Sequence, residues 1–221
     1  MTRLVYKIDQ EVEKKSLLKH PFYKMWSNGE LSLHQLQGYS LDYFQLVKAV
    51  PEMVNNIKLK LQDSYLQNIV EDSHKEESSH IQPWISFATS LGIPKQDLLN
   101  YVGNEKTKNA VSSLVQLTEK SRDEGICAMY AYEMDLPNIS TSKIDGLNKF
   151  YNMSSFDATN YFKIHQEADI RHAEIWRSII KDIPDHKHEL CFNAAASSLD
   201  AQNLLLDAVY EKYIRPYNQC N

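Results

Sequence analysis

The sequence is poor in chain-breaking residues. It has six glycines and seven prolines among 221 residues, about half of what average usage supplies. A β-sandwich or barrel needs turn formers at short, regular intervals, so this scarcity excludes one and favours long helices. Cysteine is scarce too. Cys127, Cys191 and Cys220 are far apart and odd in number, which excludes both a disulfide framework and a thiolate zinc pattern. Positive charge is not in excess: the net charge is −5, and the Lys and Arg residues are scattered, unlike a nucleic-acid footprint. No apolar run approaches the ~20 residues of a membrane span. The segment from Met1 to Lys15 is charged throughout and has no apolar signal-peptide core. These absences predict a soluble, cytoplasmic protein with neither a nucleic-acid nor a membrane partner.

Apolar residues are 43% of the chain, enough for a full core, and they recur at spacings of three and four almost everywhere. This predicts a single all-α domain over residues 1–221, a bundle of about seven to nine helices. Helices are expected near 5–18, 33–61, 64–77, 80–90, 105–120, 122–136, 142–151, 156–180 and 186–213, with a short one ending at Trp26. Ser32 reads as an N-cap. Pro51 reads as a kink, Pro83 as a kink or helix start just after His80, and Pro137 and Pro184 as breaks.

One stretch places polar groups where a core belongs. In Tyr161-Phe-Lys-Ile-His165-Gln-Glu-Ala-Asp169-Ile-Arg-His172-Ala-Glu-Ile-Trp176, a turn of about 100° per residue puts Tyr161, His165, Asp169, His172 and Trp176 within an arc of roughly 80°. Lys163, Arg171 and Glu174 lie on the opposite, solvated side. Buried unpaired, such groups cost several kcal/mol. A lone histidine there would read as a hydrogen-bonded core residue, but two imidazoles and a carboxylate converging match a non-haem iron or manganese site. Glu133 is anomalous in the same way, sharing its face with Ile126, Met129 and Tyr130. Glu77 and His80 have the Glu-x-x-His spacing of di-iron helices, although Pro83 puts the helical geometry there in doubt and leaves Glu76 or Asp72 as alternatives. The set Glu77, His80, Glu133, His165, Asp169 and His172 offers oxygen and nitrogen donors for two divalent metals, iron or manganese rather than structural zinc. With iron bound, O₂ is the expected co-substrate, an external reductant its electron source, and Tyr39, Tyr43, Tyr132 and Tyr161 are candidates to line the site and relay electrons.

These residues carry a resemblance. His20-Pro-Phe-Tyr-Lys-Met-Trp26, Gln37-Gly-Tyr39-Ser-Leu-Asp-Tyr43, Ser79-His80-Ile-Gln-Pro-Trp84, Tyr130-Ala-Tyr-Glu133 and His165-Gln-Glu-Ala-Asp169-Ile-Arg-His172-Ala resemble the heme-oxygenase-like helical family that includes PqqC and TenA. Within it the chain is most similar to the chlamydial group first described as associating with death domains. The resemblance implies a seven-helix bundle around a central cavity, often dimeric. It implies the same six ligands and a di-metal oxygenase that makes p-aminobenzoate for folate synthesis. It further implies that a tyrosine side chain is the carbon source, here Tyr23, and a lysine the amino donor, here Lys143. A host death-domain partner follows only by weak analogy. Between Asp63 and His80 this chain is shorter than the group's pattern, so the first carboxylate stays open among Glu77, Glu76 and Asp72.

Three rival functions follow from the same resemblance. A TenA-like thiaminase would use Cys127 as nucleophile with Asp42, and would need a depressed thiol pKa. A PqqC-like oxidase would need a pocket rich in Arg, Lys and His to hold several carboxylates. A non-enzymatic interaction protein would have no use for the polar stripe.

Overall fold

The computed structural model describes residues 2–215; Cys220 lies outside them. Among the described residues the chain is helical, with no strand. The helices are α1 (Arg3–Lys14), α2 (Pro21–Asn28), α3 (Leu33–Lys58), α4 (Ser64–Ser90), α5 (Lys95–Asn100), α6 (Glu105–Glu119), α7 (Arg122–Glu133), α8 (Leu136–Phe150), α9 (Phe156–Ile180) and α10 (His188–Tyr213). These ten differ from the expected set in two ways: the helices expected near 64–77 and 80–90 are one, α4, and a short α5 follows it. No helix of the described residues is long and apolar enough to cross a membrane.

The chain is punctuated by local hydrogen bonds rather than by long loops. Ser32 and Gln35 form a reciprocal capping box on α3, and Asp63, Ser121 and Ser155 cap α4, α7 and α9. His20 caps α2 through Nδ1, with Pro21 beginning the helix. Gly29 ends α2 at φ 72, where a side chain would be strained and a Cβ would meet the Phe150 ring at 2.6 Å.

Two expectations need correction. Pro83 does not begin a helix; α4 runs through it without interruption, so Glu77 and His80 share one helix face. A helical proline removes its own N–H bond and crowds the carbonyl four residues back; here that carbonyl belongs to the exposed Ser79, which can tilt outward to water. Pro137 does mark the expected break, since α7 ends at Glu133, but it lies inside the first turn of α8, where its missing N–H costs nothing. α8 therefore starts six residues before the expected 142.

α7 is the centre of the bundle. Every residue from Gly125 to Glu133 is buried, as befits a helix enclosed on all sides. α10, α9 and α6 pack around it, and α9 also packs on α4 and α8. The buried stripe of α4 runs Val70, Ser73, Glu77, His80, Trp84, at the spacing of three and four that keeps one face. It meets the stripe of α9 that carries His165, Asp169 and His172. The first and last of the helices bearing these groups are distant in sequence, yet α9 bridges α4 and α7.

Candidate active site

Burial is the first fact of the site. Glu77, His80, Glu133, His165, Asp169 and His172 are all buried. One donor atom each of Glu77, His80 and His165 lie within 4.8 Å of one another, and the same holds for Glu77, Glu133 and His172. Glu77 belongs to both groups. Asp169 joins neither but touches both histidines of its own helix: Oδ2 is 3.0 Å from His165 Nδ1, and Oδ1 is 3.9 Å from His172 Nδ1. The open choice of the first carboxylate is narrowed by position. Asp72 is on the outer face, 77% exposed, against Lys75. Glu76 is on the rim, paired with Arg171.

The donor atoms fit divalent metals. His165 Nε2, Asp169 Oδ1 and His172 Nδ1 are buried and have no hydrogen-bond partner, a costly state in a protein interior unless something else binds them. All the donors are carboxylate oxygen or imidazole nitrogen, without thiolate, which suits iron or manganese.

Electrostatics reflect the crowding. Burial would raise the Glu77 carboxyl, but His172 and His80 hold it well below the usual range. Burial pushes the Glu133 carboxyl well above that range; its Oε2 accepts a 2.6 Å hydrogen bond from Trp176 Nε1. For His172 burial alone would favour the neutral ring, but Glu77, Glu133 and Glu76 outweigh it and lift the pKa to about 10.

An aromatic path leads away from the donors. The Tyr161 ring lies 4.3 Å from the His165 ring and 4.7 Å from Trp84. Trp84 stacks on Tyr43 at 5.2 Å, and Tyr43 lies 5.1 Å from Tyr39. Tyr132 is buried as well, and the hydroxyls of Tyr39 and Tyr23 are 3.3 Å apart. Lys143 enters at this end. It is 2% exposed, and its Nζ lies 5.0 to 5.4 Å from the ring centres of Tyr43, Phe162, Tyr39 and Tyr23. Burial lowers its pKa to about 7, although the Asp169 charge works the other way. Trp26 Nε1 donates to the Lys143 carbonyl at 3.2 Å, tying α2 to α8.

The sequence reading missed Phe162 as a wall of the lysine pocket and the Glu76–Arg171 pair. The α9 periodicity signalled the burial of Phe162, whereas the pair depends on the register between two helices and leaves no local signal.

A model of the TENA/THI-4/PQQC family matches residues 10–212. The chain belongs to that family. A 4-aminobenzoate synthase of Chlamydia pneumoniae is 32% identical over 188 residues, 83% of this chain and 84% of that one. A 4-aminobenzoate synthase of Nitrosomonas europaea is 30% identical over 224 residues, 93% of this chain and 90% of that one. Among solved structures, a domain with a heme oxygenase-like fold from Shewanella denitrificans superposes with a TM-score of 0.76 at 16% identity, covering 95% of this chain and 91% of that one. The all-α, heme-oxygenase-like architecture expected of a TENA/THI-4/PQQC member is therefore the one this chain has.

Proposed function

We propose that this chain is a non-haem di-metal oxygenase that forms p-aminobenzoate for folate synthesis. The ring comes from its own Tyr23 and the nitrogen from Lys143, with O₂ as co-substrate and an external reductant. The observation that carries this reading is the enclosure of Lys143 by aromatic rings, with Nζ 5.4 Å from the Tyr23 ring centre. A buried lysine has no structural merit among tyrosines, but it has a chemical one.

The product needs a benzene ring, one carboxyl carbon and a para nitrogen. Tyr23 offers the ring, Cβ as that carbon, and a para hydroxyl to be replaced. Glu77, His80, Glu133, His165, Asp169 and His172 would hold two ions of iron, manganese or one of each; when bound, such ions supply the electrons that activate O₂. Glu77 is common to both donor groups. Trp176 orients Glu133 by its hydrogen bond. Tyr161, Tyr132, Tyr43 and Tyr39 form the path along which oxidation reaches Tyr23, and their buried rings exclude water. Lys143, with a pKa of about 7, has a large neutral fraction at neutral pH, so its amine is free to attack the ring carbon that bears the hydroxyl, whose oxygen leaves as water. O₂ would then be the oxidant that takes Cβ to the carboxyl as the Cα–Cβ bond breaks and takes Lys143 Cε to an aldehyde as the Nζ–Cε bond breaks. Fixed beside the ring, the amine acts at a high effective concentration.

The thiaminase alternative is opposed by the cysteine. The Cys191 thiol beside it, together with burial, pushes Cys127 well above the usual thiol range, the reverse of what a nucleophile needs. Asp42 is engaged by Thr107 and Tyr101, both at 2.8 Å.

Ring-labelled tyrosine fed to cells should appear in p-aminobenzoate released by the purified, iron- or manganese-loaded protein, at no more than about one product per chain. Tyr23→Phe and Lys143→Arg should each abolish product while the metal content stays as in the wild type. Unlabelled product, or product from Tyr23→Phe, would defeat the self-consuming reading.

A further inference from the structure

The His172 imidazole faces two carboxylates in opposite directions. Nε2 lies 2.9 Å from Glu76 Oε2 and hydrogen-bonds it. Nδ1 lies 3.2 Å from Glu77 Oε1, yet makes no hydrogen bond. We infer that Glu76 and Arg171 are positioning residues for the metal centre: Glu76 fixes the His172 tautomer so that Nδ1 presents its lone pair to the metal, and Arg171 holds Glu76 in place. This rests on the metal-binding reading of the same site.

The chemistry follows from what each group can do. A neutral imidazole has one N–H and one lone pair, and an ionised carboxylate only accepts. A metal beside Glu77 and Glu133 would take the place of the proton at Nδ1, and Glu76 keeps the one proton of the neutral ring at Nε2, so that the lone pair at Nδ1 faces the metal. A carboxylate behind a ligating histidine also raises the basicity of the ring. Glu76 is on the rim and 39% exposed, so it would swing freely on its own. The Arg171 fork prevents this, with Nη1 at 3.2 Å from Oε1 and Nη2 at 3.3 Å from Oε2. Each partner sits next in sequence to a residue of the donor group: Glu76 precedes Glu77 on α4, and Arg171 precedes His172 on α9. The fork thus fastens the two helices at the edge of the site and sets the ring angle at once. His165 shows the same device from within one helix. Its Nδ1 is 3.0 Å from Asp169 Oδ2, and its Nε2 is the orphan.

The test is Mn(II) binding to the full-length protein by calorimetry, with metal content measured after gel filtration. The wild type should take up two equivalents. Glu76→Ala should weaken one of them by about 10- to 100-fold, the usual cost of losing such an outer partner, and leave the other unchanged. Glu76→Gln, which still accepts the N–H but carries no charge, should fall between them. Arg171→Gln should weaken the same equivalent by less than Glu76→Ala. In the Co(II)-substituted protein, the His172 N–H should give a shifted, exchangeable proton resonance that exchanges faster in Glu76→Ala. A Glu76→Ala isotherm that overlays the wild type would overturn the inference alone. Complete loss of one equivalent in Glu76→Gln would overturn it too, by making Glu76 a ligand. A wild type that takes up no metal would remove the metal-binding reading along with it.

Discussion

A lysine walled in by four rings has no water to solvate its ammonium group, and its proton becomes a measurable burden on the fold. The Lys143 pKa of about 7 lies below the ordinary 10.5. Between these values the unfolded chain binds the proton and the folded chain does not. Stability from this group therefore falls as pH drops from about 10.5 toward 7, then levels off. Lys143→Met should be more stable than the wild type by ~3–5 kcal/mol at neutral pH, and the gap should close as pH approaches the lysine's ordinary pKa. Urea unfolding midpoints across that range would show it; a gap independent of pH would contradict the burial argument. Residues of this kind were unequally legible. The His165, Asp169, His172 stripe stands out because polar groups interrupt an apolar period. Lys143 does not, since Thr141-Ser-Lys-Ile reads as an ordinary solvated helix start, and only the tertiary arrangement that brings rings of α2, α3 and α9 around it encloses it.

Helix contacts decide whether those residues meet. Gly146 lets α8 approach α2 so closely that an added Cβ would lie 2.6 Å from Trp26 Cδ1 and 3.2 Å from the Trp26 carbonyl oxygen. Gly146→Ala should cost about 1–3 kcal/mol by overpacking, more than the gain in helix propensity returns. It should also move Tyr23 away from Lys143, since the Trp26–Lys143 hydrogen bond spans the same contact. Thermal unfolding and product yield should both fall; a more stable variant would show that the approach is slack. At this scale most of the fold was readable, because helix starts are marked by Ser32, Asp63, Ser121 and Ser155. The errors came from prolines. Neither Pro83 nor Pro137 ends a helix here, because one occupies a position where water replaces the lost bond and the other a first turn that has no bond to lose.

For the molecule as a whole, the donors are a small polar island inside a core of Trp26, Trp84, Trp176, Phe87, Phe162 and many aliphatic residues. That core should hold without metal. A chelator should leave the helical circular dichroism signal intact, while Mn(II) at 100 times its dissociation constant should raise stability by about 2.7 kcal/mol per site. A chain that lost its helicity with the metal would require a structural rather than a catalytic role for the site.

Tyr23 is fully enclosed, packed on Phe22, Trp26 and Tyr39. A chain that has surrendered this side chain keeps its backbone but carries a void the size of a phenol ring at its centre. Emptying an aromatic site of this kind typically costs 3–5 kcal/mol, which for a chain of this length lowers the melting temperature by roughly 10 °C. Spent molecules should therefore be separable from fresh ones by heat, with the Tyr23→Gly protein, which like them lacks the ring and Cβ, as their stable mimic. They should also be the first cleaved by protease, because a larger fraction is open at any moment. If Tyr23 is consumed as proposed, product formation and protein lifetime are one event: each molecule made marks its maker for disposal, and the supply of product is set by the rate of translation rather than by catalytic turnover.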